Sequence, residues 1–199
     1  MATQSNSSIT LQPIQRQTIR LRIVGDTPLV AHRFSEKARK ELLDKQMKKA
    51  KQAKQAKDPE AEFNDARYQM EDGGDGFPSA GIKKAIANAF RFADGMKKVE
   101  IAGALHVEPG NELVAIIGPQ PLIREDTVKI SMGTTDIRFR PEYRDWSMEF
   151  DVVFNGRAIS AEQIVNLVNI AGFGIGIGEW RPERGGQFGM FHVAAEGEV

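Results

Sequence analysis

The densest run of chemically capable residues is Gly172-Phe-Gly-Ile-Gly-Ile-Gly-Glu-Trp-Arg-Pro-Glu-Arg-Gly-Gly-Gln-Phe-Gly189, where seven glycines alternate with apolar residues, two arginines and a tryptophan. Glycine costs chain entropy on folding, so this density calls for positive φ angles or a backbone pressed against another backbone or a phosphate. A glycine-rich turn feeding a last strand meets the same requirement. Trp180, Arg181 and Arg184 favour a ligand-facing surface, with the arginines supplying charge and Trp180, Phe173 or Phe188 a face for base stacking. Phe173 and Phe188 suit a core better than a platform, and Trp180 suits either. The segment lacks the Gly-Lys-Ser/Thr ending of a P-loop. Its glycines follow a helix and precede a strand, the reverse of the Rossmann order.

Other chemistry has few candidates. The chain has no cysteine, which removes disulfides, thiolate metal sites and thiol nucleophiles and agrees with a reducing, cytoplasmic compartment. The histidines are His32, His106 and His192. The last two fall in strand-like segments where a structural role is expected. Neither a metal nor a cofactor is expected.

With 199 residues, the expectation is a single domain over 1–199 with a sizeable insertion. The first 18 residues are polar and unlike a signal peptide, and no apolar run reaches membrane-spanning length. Net charge is zero, yet residues 1–57 hold 13 basic and four acidic residues, so this part carries +9 and the remainder −9. Such asymmetry points to a basic arm for a polyanion or to head-to-tail attraction between copies.

Several elements must position these residues. Ile19, Leu21 and Ile23 alternate with Arg20 and Arg22, which predicts a half-buried strand closed by Gly25-Asp-Thr-Pro28 and continued by Leu29-Val-Ala. Ser35 opens a helix to about Lys57 with little apolar surface in its second half. Asp58-Pro59 starts another, so that residues 33–76 read as a helical insertion. Ser79 is expected to cap a helix with Ile82, Ala85, Ile86, Ala89 and Phe90 inward and Lys83, Lys84 and Arg91 off that face. Leu105–Val107 and Leu113–Ile117 flank Glu108-Pro-Gly-Asn111 and predict a hairpin. Residues 119–144 carry Arg124, Lys129, Arg138, Arg140 and Arg144 with few apolar residues, which reads as an arm-like β-hairpin. Trp146, Met148, Phe150 and Val152 alternate as a strand. Ser160 caps a helix burying Ile164, Leu167, Val168 and Ala171, and Phe188 to Val193 supply the final strand. Without the insertions the order is strand, helix, strand, strand, helix, strand, an α+β, ferredoxin-like (split βαβ) core.

Three segments of this core resemble the RAMP superfamily, the RNA-binding proteins of CRISPR effector complexes and guide-RNA processing. Ile19 to Leu29, ending Gly-Asp-Thr-Pro-Leu, is similar to the family's first strand and its exit. Phe77-Pro-Ser-Ala-Gly-Ile-Lys-Lys-Ala-Ile is similar to its Pro-Gly-Ser-Ser-Leu-Lys-Gly helix start, with Ala80-Gly81 where Ser-Ser is usual. Gly174 to Gly189 is similar to its glycine-rich loop, here with Trp180-Arg-Pro inserted. Glu-Trp-Arg-Pro and Gln-Phe-Gly-Met-Phe also resemble small tailed-phage proteins, which would place the chain in a host cytoplasm.

The resemblance implies a non-enzymatic binder of single-stranded RNA or DNA that associates with other copies of itself into a ring or filament. It implies contacts through the amides around Gly174, Gly176, Gly178, Gly185, Gly186 and Gly189, through the first turn of the Ser79 helix, and through the basic arm. A helix N-terminus favours phosphate, with Lys83 and Lys84 one turn in. Ser79 also serves as a plain cap without any ligand. His32 and Arg33 are expected near the glycine loop, and Arg181 and Arg184 are expected to point outward. Arg138, Arg140 and Arg144 have possible partners in Asp136, Glu142 and Asp145, but an arm so basic reads as functional. Two alternatives remain: an assembly protein that polymerises without nucleic acid, and a metal-independent endoribonuclease with His32 as base, aided by Lys37 or Tyr68. Asp26 would correspond to the cleaving aspartate of some metal-dependent members.

Overall fold

The computed structural model describes residues 13–49, 56–131 and 133–198. The first helix, expected to run to about Lys57, ends at Gln46 with Lys48 at a φ of +55°, and residues 50–55 lie outside the described residues. The fold is a mixture of helices and antiparallel sheets.

Strands β1 (Arg16–Gly25), β4 (Leu105–Val107), β8 (Ser147–Asn155) and β9 (Phe191–Val193) form a four-stranded antiparallel sheet in the order β4-β8-β1-β9. Its composition follows from period-two burial: Leu21 and Ile23 on β1 and Met148, Phe150, Val152 and Phe154 on β8 all point into the core. Helices α3 (Ser79–Asn88) and α5 (Ala161–Gly174) supply the rest of that core through Ile82, Ala85 and Ile86 and through Ile164, Leu167, Val168 and Ala171. Ser160 and Gln163 close a reciprocal capping box at the start of α5, as its sequence indicates. Trp146 fixes the turn into β8. Its indole nitrogen donates to the Thr27 carbonyl at 2.8 Å, and its ring lies where a Cβ on residue 25 would stand, which is why that residue is glycine.

A second sheet, in the order β2-β7-β6, joins β2 (Leu29–Val30) to the long hairpin of β6 (Leu122–Ser131) and β7 (Thr134–Tyr143). Leu29-Val30 therefore leaves the first sheet rather than extending β1. Helix α1 (Glu36–Gln46) leaves Leu42 and Leu43 exposed, as is Met47 just after it. Helix α2 (Pro59–Asp65) is capped by Asp58 with Pro59 in its first turn, and it packs on β7.

Three expectations are corrected. Leu105–Val107 and Leu113–Ile117 do not pair with each other: β4 joins β8, while β5 (Leu113–Ala115) pairs with β3 (Gly76–Pro78). The turn between them bends the chain away, with Glu108 and Gly110 at positive φ and the Glu108 amide spent on the Asp151 carbonyl. Ser79 is not the cap of α3. Pro78 occupies that position, because β3 runs straight into the helix, and the Ser79 hydroxyl instead donates to the Asn111 carbonyl at 2.7 Å. The helix expected to carry Ala89, Phe90 and Arg91 ends at Asn88 and tightens into a 3-10 turn over Ala89–Phe92. Helix α4 (Lys98–Ala104), which packs on α3, was not foreseen from the sequence.

Candidate functional site

Two clefts meet at the start of α3, and both are lined by Tyr68 and Pro78. The smaller, about 220 Å³, brings His32, Lys84, Gly176, Gly178 and Arg181 together. The larger, about 900 Å³, takes in Arg33, Ser79 and Lys83, with His106 beside them. Lys83 Nζ lies 3.0 Å from His106 Nδ1. Residues from the exit of β2, the first turns of α3 and the glycine loop thus line two neighbouring clefts that share Tyr68 and Pro78. The local reason is the join of β3 to α3, which places the amide end of the helix between the two clefts.

The glycine loop is occupied with its own architecture. The amides of Ile175, Gly176, Ile177, Glu179, Glu183, Arg184, Gly185, Gly186, Phe188 and Gly189 all donate to backbone carbonyls of the chain, so they are not the phosphate cradle the resemblance implies. Close approach explains the glycines. A Cβ at Gly186 would stand 1.7 Å from the Trp180 carbonyl oxygen, and one at Gly189 1.9 Å from that of Ile177. Gly174 ends α5 against the Phe92 ring, and Gly185 ends a 3-10 turn at Pro182–Arg184.

The two arginines of the loop divide. Arg184 is exposed. Arg181 does not point outward: it folds back onto Glu183 at 2.9 Å and donates to the Gly178 carbonyl at 2.9 Å. Glu183 also accepts from Asn88 at 2.9 Å and pairs with Arg91 at 3.2 Å. Burial pushes the Glu183 carboxyl up, but Arg181, Arg91 and Arg184 outweigh it and hold it below the usual carboxylate range.

Aromatic placements also differ from expectation. Phe173 is 77 % exposed rather than buried, and Phe92 is 62 % exposed. Trp180 is 41 % exposed and has a φ of +54°, which is unusual for a bulky residue. Phe188 is half-buried beneath Arg124, whose guanidinium carbon sits 4.5 Å from the ring centroid.

The basic arm is an ion-pair network. Arg124 donates to Asp126 at 2.8 Å and to Glu142 at 2.7 Å, Arg144 donates to Glu142 at 2.7 Å, and buried Arg140 reaches Asp126 at 3.3 Å. Arg138 lies 3.8 Å from Asp136, which also pairs with Lys57 at 2.7 Å. The idea that these arginines lack structural purpose is therefore wrong, since the buried carboxylates Asp126 and Glu142 require them. Lys129 is exposed near the hairpin tip.

His32 sits between guanidiniums. Arg140 Nε donates to its Nδ1 and Arg138 Nη1 faces its Nε2, both at 3.3 Å. Burial lowers its pKa first and the charges of Arg140 and Arg138 lower it further, with Glu179 opposing. The neutral ring has one lone pair, and guanidinium groups occupy both nitrogens, which is a poor arrangement for a general base. Tyr68 shares the cleft with its phenol pKa raised by burial, against the charge of Arg33. The Lys37 side chain lies outside the described residues. Asp26 is bound to His192 Nδ1 at 2.7 Å, and His192 Nε2 lies 2.9 Å from Glu198. The Glu198 contact and then Asp26 raise the His192 pKa above its ordinary value.

The depressed His32 pKa has a sign that can be checked. The unfolded chain takes up a proton near the ordinary value of 6.5 while the folded ring does not, so folding stability falls as pH drops below that value toward the lowered folded pKa. Urea unfolding at about pH 7 and about pH 5 should show a larger loss for the parent than for His32→Gln, which keeps an acceptor for Arg140 without titrating. Equal losses would show that His32 is not held neutral.

Sequence reading missed Glu179 and Asn88, which line the small cleft. The signal for Glu179 is an acid inside the glycine loop, in Gly-Glu-Trp-Arg-Pro. Among the described residues, no group of three or more His, Asp or Glu could hold a metal ion, and no helix is long and apolar enough to cross a membrane. The sequence matches no family model and no curated protein. Among solved structures, the chain is similar to Cmr6 from Pyrococcus furiosus, with a TM-score of 0.47, 11% identity, and coverage of 90% of this chain and 98% of that one.

Proposed function

We propose that the chain binds single-stranded nucleic acid, DNA or RNA, along the groove formed by the two neighbouring clefts. The observation that carries this reading is the convergence of Arg33, Lys83 and Lys84 on a groove with Tyr68 at its middle and the amide end of α3 beside it. Cations along a channel with an aromatic face are what sequence-tolerant strand binding requires. Exposed Arg184, Trp180 and Phe173 extend the same chemistry around the glycine loop.

The sheet order β4-β8-β1-β9 and the chain order β1, α3, β4, β8, α5, β9 support reading the core as a split βαβ unit in one RAMP-like domain. In that reading α1, α2 and the β6–β7 hairpin are insertions. Copies associate along the strand, supported by the +9 and −9 division of charge and by exposed Leu42 and Leu43 on α1 with Met47 just past its end. The role is binding rather than catalysis.

Fluorescence polarisation with labelled single strands tests the proposal. Affinity should fall steeply with salt, and Lys83→Glu with Lys84→Glu should weaken binding about tenfold or more while lowering the salt slope by about 1–2. Absence of binding at low salt would overturn it. Rings or filaments of nucleic-acid-free protein, together with no strand binding, would favour an assembly protein built on the α1 face.

A further inference from the structure

Resting on the strand-binding reading, we propose that the smaller cleft seats one guanine base of the bound strand, with the Glu179 carboxylate taking its Watson–Crick edge. The size fits a single base. At about 220 Å³ the cleft is below the roughly 300–1,000 Å³ of sites for drug-sized ligands. Tyr68, Phe77, Pro78, Ile175 and Ile177 give it apolar walls against which a planar ring can lie.

Glu179 has no place in a cleft that meets only phosphates, because a carboxylate repels them. It is half-buried, close enough to His32 and Tyr68 to act on both through its charge, and its carboxylate has no hydrogen-bond or ion-pair partner among the described residues. His32 is held neutral beside it and does not cancel its charge. The backbone holds Glu179 at a cost. Its amide donates to the Val30 carbonyl at 2.8 Å, and it lies between two residues of left-handed conformation, Gly178 at φ +77° and Trp180 at φ +54°. A tryptophan in that conformation is strained, and such strain persists where a site depends on it.

Asn88 lines the same cleft from beneath its surface. Asn88 is 3 % exposed, its amide nitrogen is committed to Glu183, and its Oδ1 has no donor. The Glu179 carboxylate is therefore the acceptor without a partner that the cleft can present. Guanine is the base that presents two adjacent N–H donors, N1–H and the N2 amine, to a carboxylate, with a second amine hydrogen left for another acceptor. Adenine and cytosine would set a ring-nitrogen lone pair against the carboxylate, and uracil or thymine would flank one N–H with two carbonyls. Guanine O6 needs a donor, and Lys84 lines the cleft to provide it.

The test uses fluorescence polarisation of the full chain with short labelled oligouridine and oligothymidine strands that carry one central guanine, one central hypoxanthine or no purine. The guanine strand should bind about tenfold more tightly than its pyrimidine parent, and hypoxanthine, which lacks the N2 amine, should lose most of that gain. Glu179→Gln should bring the guanine and parent strands to within about twofold of each other, because its amide sets a donor against a donor. Strands that bind well but alike would overturn the guanine seat and leave strand binding standing. No binding of any strand would overturn both. Guanosine monophosphate that displaces the guanine strand at the strand's own concentration would also overturn the seat, assigning the cleft to a free nucleotide.

Discussion

Replacing Asp126 with alanine is expected to destabilise the protein by about 3–5 kcal/mol, the usual cost of leaving a buried charge without its partner. Asp126 accepts from Arg124 and from Arg140, and both Asp126 and Arg140 are buried. Without the carboxylate, Arg140 keeps among the described residues only His32 as a hydrogen-bond partner, and a neutral imidazole does not balance a guanidinium. The double variant Asp126→Leu with Arg140→Met should recover most of the loss, since an ion pair replaced by apolar groups of similar size is often neutral. Urea denaturation separates these outcomes. A loss below about 1 kcal/mol for Asp126→Ala would mean that the hairpin network behaves like a surface ion pair.

The second large effect concerns Gly189. Its φ of +64° already disfavours a side chain, and a Cβ there would stand 1.9 Å from the Ile177 carbonyl oxygen, a backbone atom that cannot swing aside. Gly189→Ala should therefore cost more than about 3 kcal/mol. Gly185 provides the control. Its φ is +79° but an added Cβ meets open space, so Gly185→Ala should cost only the roughly 1–2 kcal/mol of the left-handed conformation. Thermal unfolding should show Gly189→Ala losing about 6 °C or more and Gly185→Ala clearly less, at roughly 2–4 °C per kcal/mol for a chain of this size. Equal shifts would mean that conformation alone, and not packing of the loop on itself, demands these glycines.

How much was legible in the sequence depended on the range of the interaction that decided each element. Leu21 and Ile23, or Ile164, Leu167, Val168 and Ala171, could be placed because burial repeats with the period of the element itself. The caps at Asp58 and Ser160 are local chemistry and were readable for that reason. Strand partners were not. Nothing in Leu113–Ala115 says that it will meet Gly76–Pro78 rather than Leu105–Val107, because a strand edge accepts any partner of suitable register. Ser79 was misread as a cap because serine before an apolar stripe is a cap signal, whereas the preceding β3 had already carried the chain to the helix axis.

The hairpin charges were more legible than the first reading allowed. Side chains two apart on a strand share a face, so Arg124 with Asp126, and Arg138, Arg140, Glu142 and Arg144, could have been sorted by parity. The observed register sets Leu122 opposite Glu142, Arg124 opposite Arg140 and Asp126 opposite Arg138. Three acids, Asp126, Asp136 and Glu142, among four arginines make an alternating lattice of charge, not an unbalanced arm. Counting basic residues along the segment hid this, since the count ignores which face each one occupies. Of the candidate site, the meeting of His32, the first turn of α3 and the glycine loop followed from strand order. The inward turn of Arg181 did not, because Glu183 two residues on competes with solvent for it.

Glu183 is the tie between the two walls of the small cleft, receiving Asn88 and Arg91 from the α3 side and Arg181 from the loop side. A mouth fastened across in this way keeps its width whether it is empty or filled. A guest would then encounter a finished seat rather than induce one, with little ordering left to oppose its entry. Selection in such a cleft would act at the threshold, through shape and the pattern of donors, before any rearrangement of the chain could accommodate a poor fit.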